Sequence, residues 1–337
     1  MEARFSYEKR LHQFPLGGII RQTESIRSMA FFGRRQVRLP NFMIVGAAKA
    51  GTTAIASYLA QHPQVYMSPI KEPKFISSQF LKFPLRGPGD DFVEGFTVKS
   101  FGEYRGLFRR AYRERAVGEA SVENLYYYRR AIPVIKKVLG DVKIIIVLRN
   151  PIDRAFSAYK MMVRDGREAL TFEQALREEP ERMRSNWEYL WFYRDVGLYY
   201  RQVKAYLQAF SNVQVLLFED FRRDAPGFMQ SVYKFLGVDE SFAPRIDLRF
   251  NASGRFRNTF YRFLFRATAF KGMLYKFLSL NGVPDSVILG VIEGIRDGEL
   301  EPIFMEPEAR DMLHKAYRDD IEKLQKLLER DLTHWQE

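Results

Sequence analysis

Apolar residues in this 337-residue chain fall into short runs separated by stretches of helical period, and the first clear run begins after Pro40. A short apolar run over Asn41–Val45 ends at Gly46. A Gly/Ala/Thr stretch then leads into an apolar-periodic segment from Ile55 to Leu59. That order reads as strand, turn, helix. Val142–Leu148 (VKIIIVL) is continuous and rich in β-branched residues, the mark of a strand buried on both faces, and Val213–Phe218 (VQVLLF) is a further such run. Helices are predicted over Ile152–Val163, about Gly197–Phe210 and Phe228–Leu236. A terminal helix follows from the 3.6-residue period of Leu313, Ala316, Tyr317, Ile321, Leu324, Leu327 and Leu328. Residues 80–105, rich in Gly, Pro and charge, read as a loop insertion. Strands alternating with helices imply parallel βαβ units with right-handed crossovers. The expected architecture is α/β: a three-layer α/β/α sandwich with a central, mainly parallel sheet and helical decoration. It occupies residues 40–337 as one domain, behind a basic N-terminal extension over residues 1–39.

Composition narrows the chemistry. Fifty-three Lys and Arg against 41 Asp and Glu leave a formal charge of +12, which points to an anionic partner. With 46% hydrophobic and 15% aromatic residues the chain is too apolar to be disordered. The absence of cysteine excludes a disulfide scaffold, thiolate zinc sites and cysteine nucleophiles, and fits a reducing, cytoplasmic compartment. No run approaches the roughly 18–20 apolar residues of a membrane span, and the first 30 residues lack the pattern of a secretory signal. The four histidines, His12, His62, His314 and His334, form no metal-ligand arrangement and read as structural.

Two local patterns carry candidate chemistry. The first is Gly46-Ala47-Ala48-Lys49-Ala50-Gly51-Thr52-Thr53, between a predicted strand and a predicted helix. Small residues let the backbone close on an anion, and the N–H groups of the helix start supply positive potential. Against the nucleoside-triphosphate loop G-x-x-x-x-G-K-[ST], Gly46, Gly51 and Thr53 fit. Thr52 stands in the lysine position, and the lysine has moved to 49. The second is Arg149-Asn150-Pro151-Ile152-Asp153-Arg154-Ala155-Phe156-Ser157. Arg149 falls at the carboxyl end of a buried strand, where open α/β sheets bind ligands. Pro151 suits a first helical turn, and Ser157 follows about two turns on. An arginine can grip a phosphate bidentately and a serine hydroxyl can add a donor.

Together these motifs make the chain resemble the sulfotransferases that use 3′-phosphoadenosine 5′-phosphosulfate (PAPS), in the branch of the heparan sulfate and bacterial carbohydrate enzymes. Lys49-Ala50-Gly51-Thr52-Thr53 resembles that family's 5′-phosphosulfate loop, and Arg149 with Ser157 its 3′-phosphate site. Phe218-Glu219-Asp220 and Leu332-Thr333-His334-Trp335 are also similar. The resemblance implies a P-loop-like fold, PAPS as co-substrate, 3′,5′-ADP (PAP) as product and no metal. It implies Lys49 beside the bridging oxygen of the leaving group and a hydroxyl acceptor, a glycan or lipid-linked glycan. In Lys71-Glu72-Pro73-Lys74-Phe75, Glu72 falls on the family's catalytic glutamate, while Lys74 replaces a histidine. Gly118-Glu119-Ala120-Ser121 resembles the substrate-side strand end, with Ala120 where the heparan enzymes favour lysine. Arg255 and Arg257 lie where the family places a basic loop over the cofactor, and Arg257 is expected to clamp the 3′-phosphate.

Residues 248–284 hold seven Lys or Arg, nine aromatics and no acid, and such a face suits peripheral contact with an anionic membrane. No nucleic-acid partner is expected. The alternatives are a P-loop kinase of a small molecule, which would need a lysine after Gly51, and a polyanion- or membrane-binding module driven by the net charge.

Overall fold

A computed structural model of the chain describes residues 37–245 and 302–336, together with the paired segments Arg255–Phe256 and Leu300–Glu301. Two compact units are distinguished. Of the smaller, the described parts are Lys160–Ala169, residues 302–303 and an antiparallel ribbon pairing Arg255 with Glu301 and Phe256 with Leu300. The larger holds residues 37–159, 170–245 and 304–336.

Five parallel strands form the sheet of the larger unit. They are β1 (Phe42–Gly46), β2 (Val65–Met67), β3 (Ala116–Glu119), β4 (Lys143–Leu148) and β5 (Val213–Leu217), in the order β2-β3-β1-β4-β5. Flanking helices complete the expected P-loop-like α/β/α architecture. Those used below are α1 (Thr52–Leu59), α2 (Tyr128–Leu139), α3 (Pro151–Arg164), α4 (Phe172–Arg184), α5 (Tyr199–Ala209), α6 (Ala225–Leu236) and α7 (Pro307–Leu328). All of β1 and Ile144–Leu148 of β4 are buried, which explains their unbroken apolar runs. A buried aliphatic side chain contributes roughly 1.5–3 kcal/mol, so these neighbours anchor whatever projects from their ends.

The chain leaves β1 for β2 on one side, then returns across β1 to β4 and β5 on the other. The β1 and β4 ends therefore flank the switch point, where such sheets open a crevice. A register shift between Ile44 and Gly46 marks the last residues of β1, as a bulge does when it re-aims a strand end.

Four details differ from the sequence reading. β5 is an edge strand, half-buried over four of its five residues, and the chain turns helical at Phe218. Residues 80–105 contain two short helices, Asp90–Gly95 and Phe101–Gly106. Strand β2 is too short to announce itself. Helix α4 is mostly charged, and its start is set by a capping box of Thr171 with Gln174. Among the described residues no helix is long and apolar enough to cross a membrane.

Candidate active site

Glycine is required at both ends of the loop after β1. A Cβ on Gly46 would lie 2.3 Å from Leu125 Cβ, and one on Gly51 would lie 2.5 Å from the Phe218 ring. Gly51 also has φ +79°, the left-handed region that glycine enters without strain. Lys49 adopts φ 69°, which turns the backbone within the loop. Ala50 and Thr52 are buried, Lys49 is half-buried and Thr53 is exposed. Ala47 N–H donates to Val147 O at 2.7 Å and ties the loop to β4. Among the described residues, the N–H groups of Gly51, Thr52 and Thr53 have no protein acceptor. They sit at the start of the eight-residue helix α1, which carries partial positive charge.

The loop after β4 lies alongside. Arg149 Nη1 donates to Lys49 O at 3.3 Å, and the guanidinium stands 5.3 Å from the centroid of the Phe218 ring. Asp153 is 3.9 Å from Arg149 Nη2 but half exposed, so it pairs only weakly. Burial lowers the Arg149 pKa from its ordinary value, which favours any anion that restores compensation. Asn150 Oδ1 accepts from Ile152 N at 2.9 Å and starts α3, while Asn150 N donates to Glu219 Oε1 at 2.9 Å. Ser157 sits on α3, half-buried, with no hydrogen bond to its hydroxyl among the described residues. Phe218 thus supports both loops. No local pattern marks that role, because the contact joins residues far apart in the chain.

Glu72 occupies a third loop, at φ 54°. Lys71 Nζ donates to its Oε1, and Lys74 Nζ lies 3.9 Å from its Oε2. Burial alone would push this carboxyl up. The charges of Lys71 and Lys74, the Lys71 hydrogen bond and the charge of Lys49 outweigh it, holding Glu72 below the usual carboxylate range. The Lys49 influence brings the glycine-rich loop and Glu72 into one electrostatic neighbourhood. Lys74 is itself anchored. Its N–H donates to Ser121 Oγ at 3.2 Å, and its Nζ reaches Glu188 Oε1 at 3.4 Å and faces the Tyr189 ring at 5.4 Å. Glu188 N–H and Trp191 Nε1 both donate to the buried Asp90, at 2.8 and 3.0 Å.

Two further carboxyls lie behind Glu72. Glu119, at the end of β3, accepts from Ser121 Oγ at 2.6 Å and is fully buried. Burial raises its pKa, the Ser121 bond opposes the rise and the Glu123 charge adds to it, leaving it at about 8. Glu123 accepts from Ser77 Oγ at 2.9 Å and is also raised by burial. The sequence signalled Glu72 and the Glu119 strand end, but not Glu188 or Asp90. Ala120 is buried. Arg257, Arg255's side chain and the rest of the 248–284 segment beyond the Arg255–Phe256 backbone lie outside the described residues. His62 is buried and structural, with Nε2 2.9 Å from Asp239 O and Nδ1 accepting from Gln64 N. Among the described residues no group of His, Asp and Glu could hold a metal ion.

A parallel α/β sheet with a glycine-rich loop and an arginine at its switch point defines a protein of P-loop-like α/β/α fold. The chain belongs to the sulfotransferase family, whose model matches residues 40–243. A crystal structure of a sulfotransferase from Alicyclobacillus acidocaldarius is 37% identical, with 89% of this chain and 100% of that chain covered and a TM-score of 0.70. The human bifunctional heparan sulfate N-deacetylase/N-sulfotransferase 2 is 30% identical over 224 residues, 64% of this chain and 24% of the relative. Mouse heparan sulfate glucosamine 3-O-sulfotransferase 3B1 is 26% identical over 214 residues, 63% of this chain and 49% of the relative. The chain thus spans about a quarter to a half of the length of these curated relatives. Family membership decides against the kinase alternative, in keeping with a threonine rather than a lysine after Gly51.

Proposed function

We propose that this protein transfers a sulfuryl group from PAPS to a hydroxyl of a carbohydrate or lipid-linked carbohydrate. The observation that carries the reading is the meeting of the two anion loops. Arg149 donates to the Lys49 carbonyl at 3.3 Å, which supports the reading that the two loops serve the two phosphates of one adenosine donor. The acceptor-free amides at the start of α1 and the partly buried guanidinium fit such a bis-anionic molecule.

In this reading Lys49, Ala50 and the N–H groups of Gly51, Thr52 and Thr53 hold the 5′-phosphosulfate, and Arg149 and Ser157 hold the 3′-phosphate. Arg257 covers it from the segment outside the described residues. Lys49 neutralises charge that builds on the bridging oxygen as the sulfur–oxygen bond breaks. The acceptor oxygen forms its bond to sulfur, its proton passes to Glu72 and 3′,5′-ADP leaves. Positioning and charge neutralisation suffice for such a transfer, by analogy with phosphoryl transfer. Glu72 is already ionised at neutral pH, because three lysines favour its charge. The catalytic domain runs from residue 40 to 337 behind the 1–39 extension. A cytoplasmic location and peripheral contact of residues 248–284 with anionic membrane belong to the same proposal, and no nucleic acid is involved.

Thermal stabilisation tests the reading. A native-state ligand at 100 times its Kd stabilises by about 2.7 kcal/mol. Saturating 3′,5′-ADP is expected to raise the melting temperature by several degrees, and Mg-ATP or duplex DNA far less. A larger response to Mg-ATP would refute it.

A further inference from the structure

We propose that Lys74 is a positioning residue: it fixes the Glu72 carboxylate, keeps it charged without hydrogen-bonding to Oε2, and so leaves Oε2 as the oxygen that receives the acceptor proton. The inference rests on the reading of Glu72 as the base and adds how that base is prepared. The two oxygens of Glu72 are held unequally. Lys71 Nζ hydrogen-bonds to Oε1. Lys74 Nζ stands 3.9 Å from Oε2, beyond hydrogen-bond range but within strong Coulomb range.

What keeps Lys74 at that distance is its other partners. Its backbone adopts φ 57° and its N–H is pinned by Ser121 Oγ. Its ammonium is drawn towards Glu188 at 3.4 Å and lies over the Tyr189 ring. Glu188 is in turn set by Asp90, which accepts from the Glu188 N–H. Removing the Glu72 charge by protonation therefore does not strand a buried cation, since Glu188 and Glu123 still compensate Lys74. A cation with a single carboxylate partner would resist that protonation far more strongly.

The balance at Glu72 is set, among the described residues, by several charged or titratable groups. Lys71 and Lys74 act from its own loop and Lys49 from the glycine-rich loop. Glu119 acts from the end of β3, Glu123 from the helix Glu123–Tyr126, and Tyr189 with Glu188 from the turn after α4. Lys74 is the member whose ammonium faces Oε2 without hydrogen-bonding to the carboxylate.

Carbon-13 NMR of glutamate-labelled full-length protein, with the Glu72 resonance assigned through Glu72→Gln, reads this directly. In the wild-type chain Glu72 is expected to titrate below the ordinary glutamate value of about 4.3. Lys74→Gln should raise it by about one unit or more, the scale of a lost neighbouring charge, and Lys74→Arg should restore it. Should Lys74→Gln fold poorly with Glu188 uncompensated, Lys74→Gln combined with Glu188→Gln replaces the ion pair by an amide pair, and the upward shift is still expected. A wild-type value at or above about 4.3, or an unchanged Glu72 titration in the variants that fold, would overturn the proposal. The titration needs no substrate. It is thus independent of 3′,5′-ADP binding, whose failure would instead sink the functional reading.

Discussion

The glycine-rich loop and the Glu72 cluster share one neighbourhood but are made of different material. The first is backbone: N–H groups at the start of α1, a carbonyl at Lys49, two glycines that no other residue can replace without collision. The second is side-chain charge: Glu72, Glu119, Glu123 and Glu188 around Lys71 and Lys74, drawn from four separate segments and mostly buried. A backbone cradle costs little to preorganise, because its dipoles are fixed by the fold itself. A buried charge cluster is costly to assemble, and losing one member changes the charge balance of those that remain. The first region is therefore expected to be indifferent to pH and intolerant of side-chain bulk, and the second the reverse.

Four variants would break or sharpen that contrast, and the largest effect is expected on the acceptor side. Glu72→Gln should lower turnover by about 10²–10⁴, the range of a lost general base, with 3′,5′-ADP affinity close to wild type. Initial rates with the best acceptor from a panel of glycans and lipid-linked glycans check this, and unchanged turnover removes Glu72 from the chemistry. Next comes Gly51→Val, which meets both the left-handed backbone and the Phe218 ring. It should destabilise the protein by roughly 2–4 kcal/mol and abolish stabilisation by 3′,5′-ADP, as read by thermal melts with and without the nucleotide. Arg149→Ala should cost roughly 1.5–3 kcal/mol of 3′,5′-ADP binding, the worth of charged hydrogen bonds, while 5′-AMP is little affected. Calorimetric titration with both nucleotides would show the preference vanish, and its persistence would mean that Arg149 does not read the 3′-phosphate.

The smallest effect is a pH dependence, and its sign follows from Glu119. Burial holds the folded-state pKa near 8, above the ordinary 4.5. The folded chain therefore keeps a proton that the unfolded chain releases between those values. This contribution is fully present below about 4.5 and is lost as pH rises through about 8. Glu119→Gln should flatten the fall, leaving the variant more stable relative to wild type at pH 8 than at pH 6 by about 2 kcal/mol. Urea unfolding at the two pH values measures it. An equal difference at both would show that Glu119 does not titrate in this window.

The same contrast explains what could be read in the sequence. Gly46, Lys49 and Gly51 lie within six consecutive positions, and Arg149 follows directly on a buried strand, so a local pattern exposes them. The β1 and β4 runs were legible because both strands are buried on both faces. β5 is less buried than its apolar text suggests, because it closes the sheet at an edge. Helix α4 escaped notice because its exposed face is dense in Glu and Arg, which hides the period of Phe172, Ala175, Leu176 and Glu179 on its buried side. Glu188 and Asp90 could not be found from spacing, since they reach Lys74 through contacts about a hundred residues long. Lys74 stood out only as a departure from the pattern that Glu72 matched. Its ties to Ser121 and Glu188 give that departure a physical content.

Phe218 has a consequence of its own. Its ring packs against Gly51 and lies beneath the Arg149 guanidinium, so one aromatic keystone bears on both loops at once. Under the proposed function, a displacement of that ring by one occupant would be felt by the other, and the affinities for the two halves of a split nucleotide are expected to depend on each other, each half altering the grip on its complement by the same factor.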